Sequence, residues 1–168
     1  SSDLTFSLYD ASSPVFIRGL KALSALLDKA LEQGFDEKAL MEARLAPDMN
    51  PFPAQVRTAA FAGRGCIARL TGQDWPKTDD NEASFAELQA TIALSIAFIE
   101  SVPSEAFEGA ETREVTLKFP GGQFDFTGAG YLTGFALPNF FFHVTTAYGL
   151  LRAAGVQIGK RDYMGAPG

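Results

Sequence analysis

Between residues 12 and 31 the apolar side chains Phe16, Leu20, Leu23, Leu27 and Leu31 recur at intervals of four, three, four and four. That spacing places them on one face of an α-helix, and Val15, Leu26 and Ala30 broaden the stripe. A stripe this wide must be covered by other elements, so the chain is constrained to a packed helical core. Leu4 and Leu8 extend the pattern upstream, which predicts a first helix from about Thr5 to Gln33, bent near Pro14. Gly34 stands where a helix C-terminal stop is expected.

The same reasoning organises the rest of the chain. A short helix is expected over 36–46, capped by Asp36, followed by an ordered Pro-rich loop, LAPDMNPFP, from Leu45 to Pro53. A second long helix is expected from Pro53, a residue suited to a first helical position, to about Leu70. Its stripe is Val56, Ala60, Gly63, Ile67 and Leu70, among small residues that permit close helix approach. After a polar loop (71–83), Ser84 and Glu87 form a capping-box pattern at the head of a third helix, whose buried face carries Phe85, Leu88, Ile92, Ile96 and Ile99. The period then changes to two. Val115, Leu117 and Phe119 precede a PGG turn, and Phe124 and Phe126 follow it, which predicts a small β-hairpin packing its Phe side chains on the helices. A final helix, apolar nearly all round, is expected from about Gly130 to Ala154 with Gly155 as its stop, and a Gly-rich tail follows. Together these elements predict an all-α fold: one domain over residues 1–168, a four-helix bundle with a hairpin before the last helix.

Charge and composition narrow the functional classes. The 168 residues carry 14 Lys+Arg against 20 Asp+Glu, a net charge of −6, which is not the broad basic field that a phosphate backbone requires. No nucleic-acid partner is expected. Nor is a membrane partner, because the apolar run from Phe135 to Phe142 is short and interrupted by Pro138. Ser1 to Asp10 lack the basic and apolar regions of a secretory signal, so a cytoplasmic location is expected. The single Cys makes no internal disulfide, and the single His excludes any intrachain site needing two or three imidazoles.

His143 is therefore the first candidate for chemistry, being the one side chain with an ordinary pKa near neutrality. Its helical neighbours are mostly apolar, with Asn139 and Thr146 able to bond the ring. It reads as a hydrogen-bonded core residue, as a pocket residue, or as a metal ligand completed by carboxylates, Gln or water. Asp48, in the Pro-rich loop, could pair with His143 or help it hold a cation, against the alternative of a turn or cap residue. Gln55, in the first turn of the second helix, could share the pocket, although a surface or capping role is expected. Tyr9, Tyr131 and Tyr148 could each present a phenol to a ligand or serve as amphipathic core residues. Cys66 is expected to be an inert, partly buried thiol. Two glycine patterns, around Gly128-Ala-Gly130 and in Gly155 to Arg161, lack the strand and helix context of nucleotide loops.

Three segments resemble a known family: LYDASSPVFIRGLKALSALLDKA, ARLAPDMNPFPAQVRTAA and YLTGFALPNFFFHVTTAYGLLRAAGVQIGKRDYMG. They are similar to an uncharacterised group of bacterial and fungal proteins placed with the DinB/YfiT-like four-helix bundles. The resemblance covers essentially the whole chain and implies the same bundle with a hairpin before the last helix. In that superfamily a divalent metal is held by three histidines, one on the second helix and two in an H-x-x-x-H on the last. Here only His143 can match, Ala147 stands four residues on, and the second helix has no histidine. The resemblance therefore implies a bundle without that cofactor site, retaining a small-molecule pocket near His143 with Asp48 or Gln55 lining it. It also implies a homodimer. The alternatives are a metal-dependent enzyme with a reduced site of His143 and Asp48, and a non-catalytic interaction module.

Overall fold

The structure, a computed structural model, describes residues 5–166. Leu4, part of the pattern expected for the first helix, lies outside them. Four long helices form the bundle: α1 (Leu8–Glu32), α3 (Phe52–Thr71), α4 (Phe85–Ser101) and α6 (Leu137–Ala153). A short α2 (Glu37–Met41) lies between the first two, and α7 (Lys160–Met164) follows α6. Between α4 and α6 the chain makes two 3₁₀ turns, an antiparallel hairpin of β1 (Glu114–Phe119) and β2 (Gly122–Thr127), and a one-turn helix α5 (Gly128–Tyr131).

Local chemistry accounts for most boundaries. Helix α1 begins at Leu8, later than the apolar pattern suggests, because Ser7 and Asp10 form a reciprocal capping box there. It runs through Pro14 without interruption. The ends of α1 and α6 are alike. Gly34 and Gly155 adopt left-handed backbone, and the next residue's N–H returns to the last turn, Phe35 to Ala30 O and Val156 to Leu151 O. This is the hydrogen-bonding pattern that glycine allows at a helix C-terminus. Helix α2 is shorter than the 36–46 segment expected, although Asp36 caps it by accepting the Lys38 N–H. At the head of α4 Ser84 accepts from the Glu87 N–H, while the Glu87 carboxylate reaches back one residue further, to the Ala83 N–H.

Two expectations are corrected. The final helix is not one regular rod: residues 132–136 form a wider π turn, with the Leu137 N–H bonded to Leu132 O. The cause is Pro138, which has no N–H to offer and whose ring would strike the carbonyl four residues back. The hairpin also packs less than its pattern suggests. Val115 is buried and Leu117 half-buried, whereas Phe119 and Phe124 at the tip are exposed and lie tilted against each other, ring centroids 4.8 Å apart. All lie on one face of the hairpin, but the tip projects beyond the bundle, and of the three Phe rings Phe126 is the one that packs on the core, against Tyr131 and Phe135. The tail also holds structure that no periodicity announced. Asp162 accepts the Gly159 N–H at the start of α7 and pairs with Lys29 of α1.

The core lies between α1, α3, α4 and α6, and α3 is its centre, with 14 of its 20 residues buried. Small residues make that possible: Gly65 lets the Trp75 ring lie where a Cβ would overlap it, and Gly19 receives Phe140, whose ring meets Phe16 edge-on at 4.9 Å. Another close approach holds the hairpin to the bundle. A Cβ on Gly128 would overlap the Ala110 carbonyl oxygen, which is backbone and cannot swing aside. Gly128→Ala is therefore expected to destabilise the protein by about 1–3 kcal/mol, the usual range for overpacking. Equilibrium urea unfolding checks this; an unchanged midpoint would mean that the 3₁₀ turn yields freely.

Candidate functional site

Helix α3 carries Gln55 one turn from its N-terminus, and the small-residue packing of the bundle places α6 beside it. Gln55 is 2% exposed, which corrects the expected surface role. A buried amide must satisfy both its ends. Its Nε2 donates to the Asn50 carbonyl at 3.0 Å, which turns Oε1 toward α6. There His143 Nδ1 lies 2.7 Å from Oε1. Since Oε1 can only accept, Nδ1 carries the proton, and in the neutral ring Nε2 is left as a lone-pair acceptor. Nε2 has no protein partner among the described residues.

The ring is half-buried, and desolvation holds the His143 pKa below its ordinary value. Phe142, 54% exposed, meets the ring edge-on with centroids 5.0 Å apart. Phe142 thus departs from the expectation of a last helix buried all round. Asn139, one turn before His143, is half-buried, and its side-chain amide makes no hydrogen bond among the described residues. Of the two polar neighbours expected to bond the ring neither does so, and Thr146 bonds the Phe142 carbonyl instead. The partner came from α3, a pairing that helix periodicity on α6 cannot reveal.

The other candidates are dispersed. Asp48 is exposed and forms no ion pair with His143. Tyr148 lies against Tyr163 of α7, ring centroids 5.9 Å apart, and Tyr9 packs edge-on against Phe107 at 5.5 Å. Tyr131 is buried and accepts from Arg69 at 3.0 Å. Cys66 is buried beside Tyr131 rather than His143, and burial pushes its thiol pKa up, away from nucleophilic reactivity. Three concave spaces among the described residues lie away from His143. An open groove of about 850 Å³ runs between α1 and α7, lined by Tyr9, Ile17, Arg18, Lys21 and Arg161 among others, and a smaller cavity lies beside Arg64.

No group of three His, Cys, Asp or Glu among the described residues is placed to hold a metal ion. The donors actually assembled are one imidazole nitrogen, an uncharged amide already bonded to the ring, and Asn139 one turn away. These do not fit the three-histidine metal site of the superfamily.

Residues 8–164 match the family described as a domain of unknown function, DUF1993. The chain belongs to this DinB-like family. A crystal structure of a DinB family member protein from Shewanella denitrificans is similar over 95% of this chain and 93% of that one, with 38% identity and a TM-score of 0.87. That likeness confirms the all-α DinB-like fold with its hairpin before the last helix. No curated protein matches the chain significantly. Among the described residues no single helix is long and apolar enough to cross a membrane.

The depressed pKa of His143 has a pH signature. Above its ordinary 6.5 the ring is neutral in folded and unfolded chains alike and contributes no pH dependence. As pH falls below that value the unfolded chain takes up the proton first, so stability declines toward the folded-state pKa. Urea unfolding between about pH 8 and pH 5 should therefore show a loss in the wild type that is reduced in His143→Gln. Parallel curves for the two proteins would refute the assignment.

Proposed function

We propose that this DinB-like protein binds a small molecule at the face shared by α3 and α6, using His143 Nε2 as a hydrogen-bond acceptor and no three-histidine metal site. The observation that supports this reading is the chain of bonds from the Asn50 carbonyl through the Gln55 amide to His143 Nδ1. It orients a half-buried imidazole and leaves one nitrogen unpaired, which is preorganisation of a kind that binding sites use. Asn139 adds an unpartnered amide one turn away, and Phe142 adds an exposed apolar wall. A ligand suited to this face carries an N–H or O–H donor for Nε2 on an apolar body. The homodimer implied by the resemblance belongs to the same reading, because exposed Phe142 offers a second copy an apolar contact.

Ligand-observed NMR with a library of small donor-bearing fragments tests the reading. Binders are expected to move the His143 ring resonances and to weaken by about tenfold in His143→Ala, the effect of one lost hydrogen bond in a desolvated site. A library without a binder that moves those resonances would overturn it. Metal analysis of protein purified without an affinity tag distinguishes a reduced metal site. Equal metal content in wild type and His143→Ala is expected, and a loss confined to the variant would favour the metal instead.

A further inference from the structure

Arg64 is the largest fully buried side chain in the molecule, 1% exposed in the middle of α3. Burying a guanidinium is costly unless its charge and all its donors are met. Arg64 makes three hydrogen bonds, all to uncharged acceptors: Pro76 O at 3.2 Å, Thr78 Oγ1 at 3.2 Å and Ser95 Oγ at 3.1 Å. A guanidinium has five N–H groups, so two make no hydrogen bond among the described residues, and the group lies over the Phe61 ring, 5.4 Å from its centroid. No carboxylate pairs with it directly. Glu82 is taken by Arg57 at 2.5 Å and Thr91 at 2.8 Å, and Asp80 is reached only through the Thr78 hydroxyl, which donates to it at 2.8 Å.

A cavity of about 260 Å³ adjoins this group. Arg64, Phe61, Trp75, Lys77, Thr78 and Asp80 line it together with Pro76. The Phe61 and Trp75 rings stand 5.1 Å apart and give it an aromatic wall, and the Arg69 guanidinium covers Trp75 at 4.8 Å from the ring centroid. In a chain of net charge −6, the lining side chains carry two cations and one acid. A net lining charge of +1 suits a monoanion, and Asp80 disfavours a dianion. The volume lies just below the usual range of about 300–1,000 Å³ for ligand pockets, which restricts the occupant to a small molecule.

We propose that this cavity binds a small monocarboxylate with an aromatic or apolar body. The carboxylate accepts from the free N–H groups of Arg64 and is attracted by Lys77, while the body lies against Phe61 and Trp75. Charge-assisted bonds of this kind are the stronger class of hydrogen bond, and the buried floor limits competition from water. The site is separate from the His143 face and does not rest on it.

Trp75 is the sole tryptophan of the chain, so its fluorescence reports on this cavity alone. Phenylacetate is expected to change the emission saturably and to raise the melting temperature. Phenylacetamide, the neutral isostere, should bind at least about tenfold more weakly, since it cannot supply a charged acceptor. Lys77 is exposed, and Lys77→Ala should remain folded and bind phenylacetate several-fold more weakly. Arg64→Gln, where it folds, should lose the response, and His143→Ala should keep it. Acetate should bind weakly for want of the aromatic contact. Absence of a saturable response to phenylacetate, equal binding of acid and amide, or tighter binding of inorganic phosphate would each overturn the proposal.

Discussion

The rest of the bundle is arranged around a largely buried helix, α3, that takes an amide and a guanidinium, Gln55 and Arg64, out of water. Helix α3 is rich in small residues, and at Gly65 the Trp75 ring lies where any larger residue would collide. The same close packing removes Gln55 and Arg64 from water. A buried amide and a buried guanidinium left unsatisfied would each cost about 1–3 kcal/mol or more, a large share of a domain's net stability. The structure meets that demand in full at Gln55 and in part at Arg64 by bringing particular partners to α3, and those partners define the two polar sites.

For Gln55 the partners are the Asn50 carbonyl in the Pro-rich loop and the His143 ring on α6. One fixes the amide, the amide fixes the ring orientation and the imidazole tautomer, and the tautomer leaves Nε2 as an acceptor. For Arg64 the partners are the loop after α3 and Ser95 on α4, so one side chain holds the polar loop, α3 and α4 together. Arg57 and Glu82 repeat this bridge on the same loop. Burial pushes the Glu82 carboxyl up, but hydrogen bonds from Arg57 and Thr91 outweigh that and hold it below the ordinary range. Structure and candidate function thus share a cause, which is the need to satisfy polar groups on a central helix.

The fold was largely legible in the sequence, because it rests on periodicities of 3.6 and 2 and on short-range chemistry. The stripes through Phe16 and Leu20, the Ser84 cap, the glycine stops at Gly34 and Gly155 and the alternation from Val115 to Phe126 all reappear. Misreadings came where local pattern met non-local geometry. Pro138 widened the last helix, the hairpin tip outran the bundle and left Phe119 and Phe124 exposed, and α7 was tied down by Lys29, which is 133 residues away in the chain. The Ser7–Asp10 cap was readable, since Ser followed three residues later by an acid is a start signal; the apolar run upstream concealed it.

By itself the sequence determined the helical class, the order of elements and the lone histidine, which rules out a three-histidine centre within one chain. These follow from counting and spacing along one chain. Only tertiary structure decided that His143 meets Gln55 rather than Asp48 or Asn139, and that Arg64 lies buried beside a cavity. Those outcomes depend on which faces of separate helices meet. The spacing within a helix gives the direction of a side chain about its own axis but says nothing of what stands opposite. Partnership across the core is set by close packing, and in this bundle by how near small residues let α3 come to its neighbours.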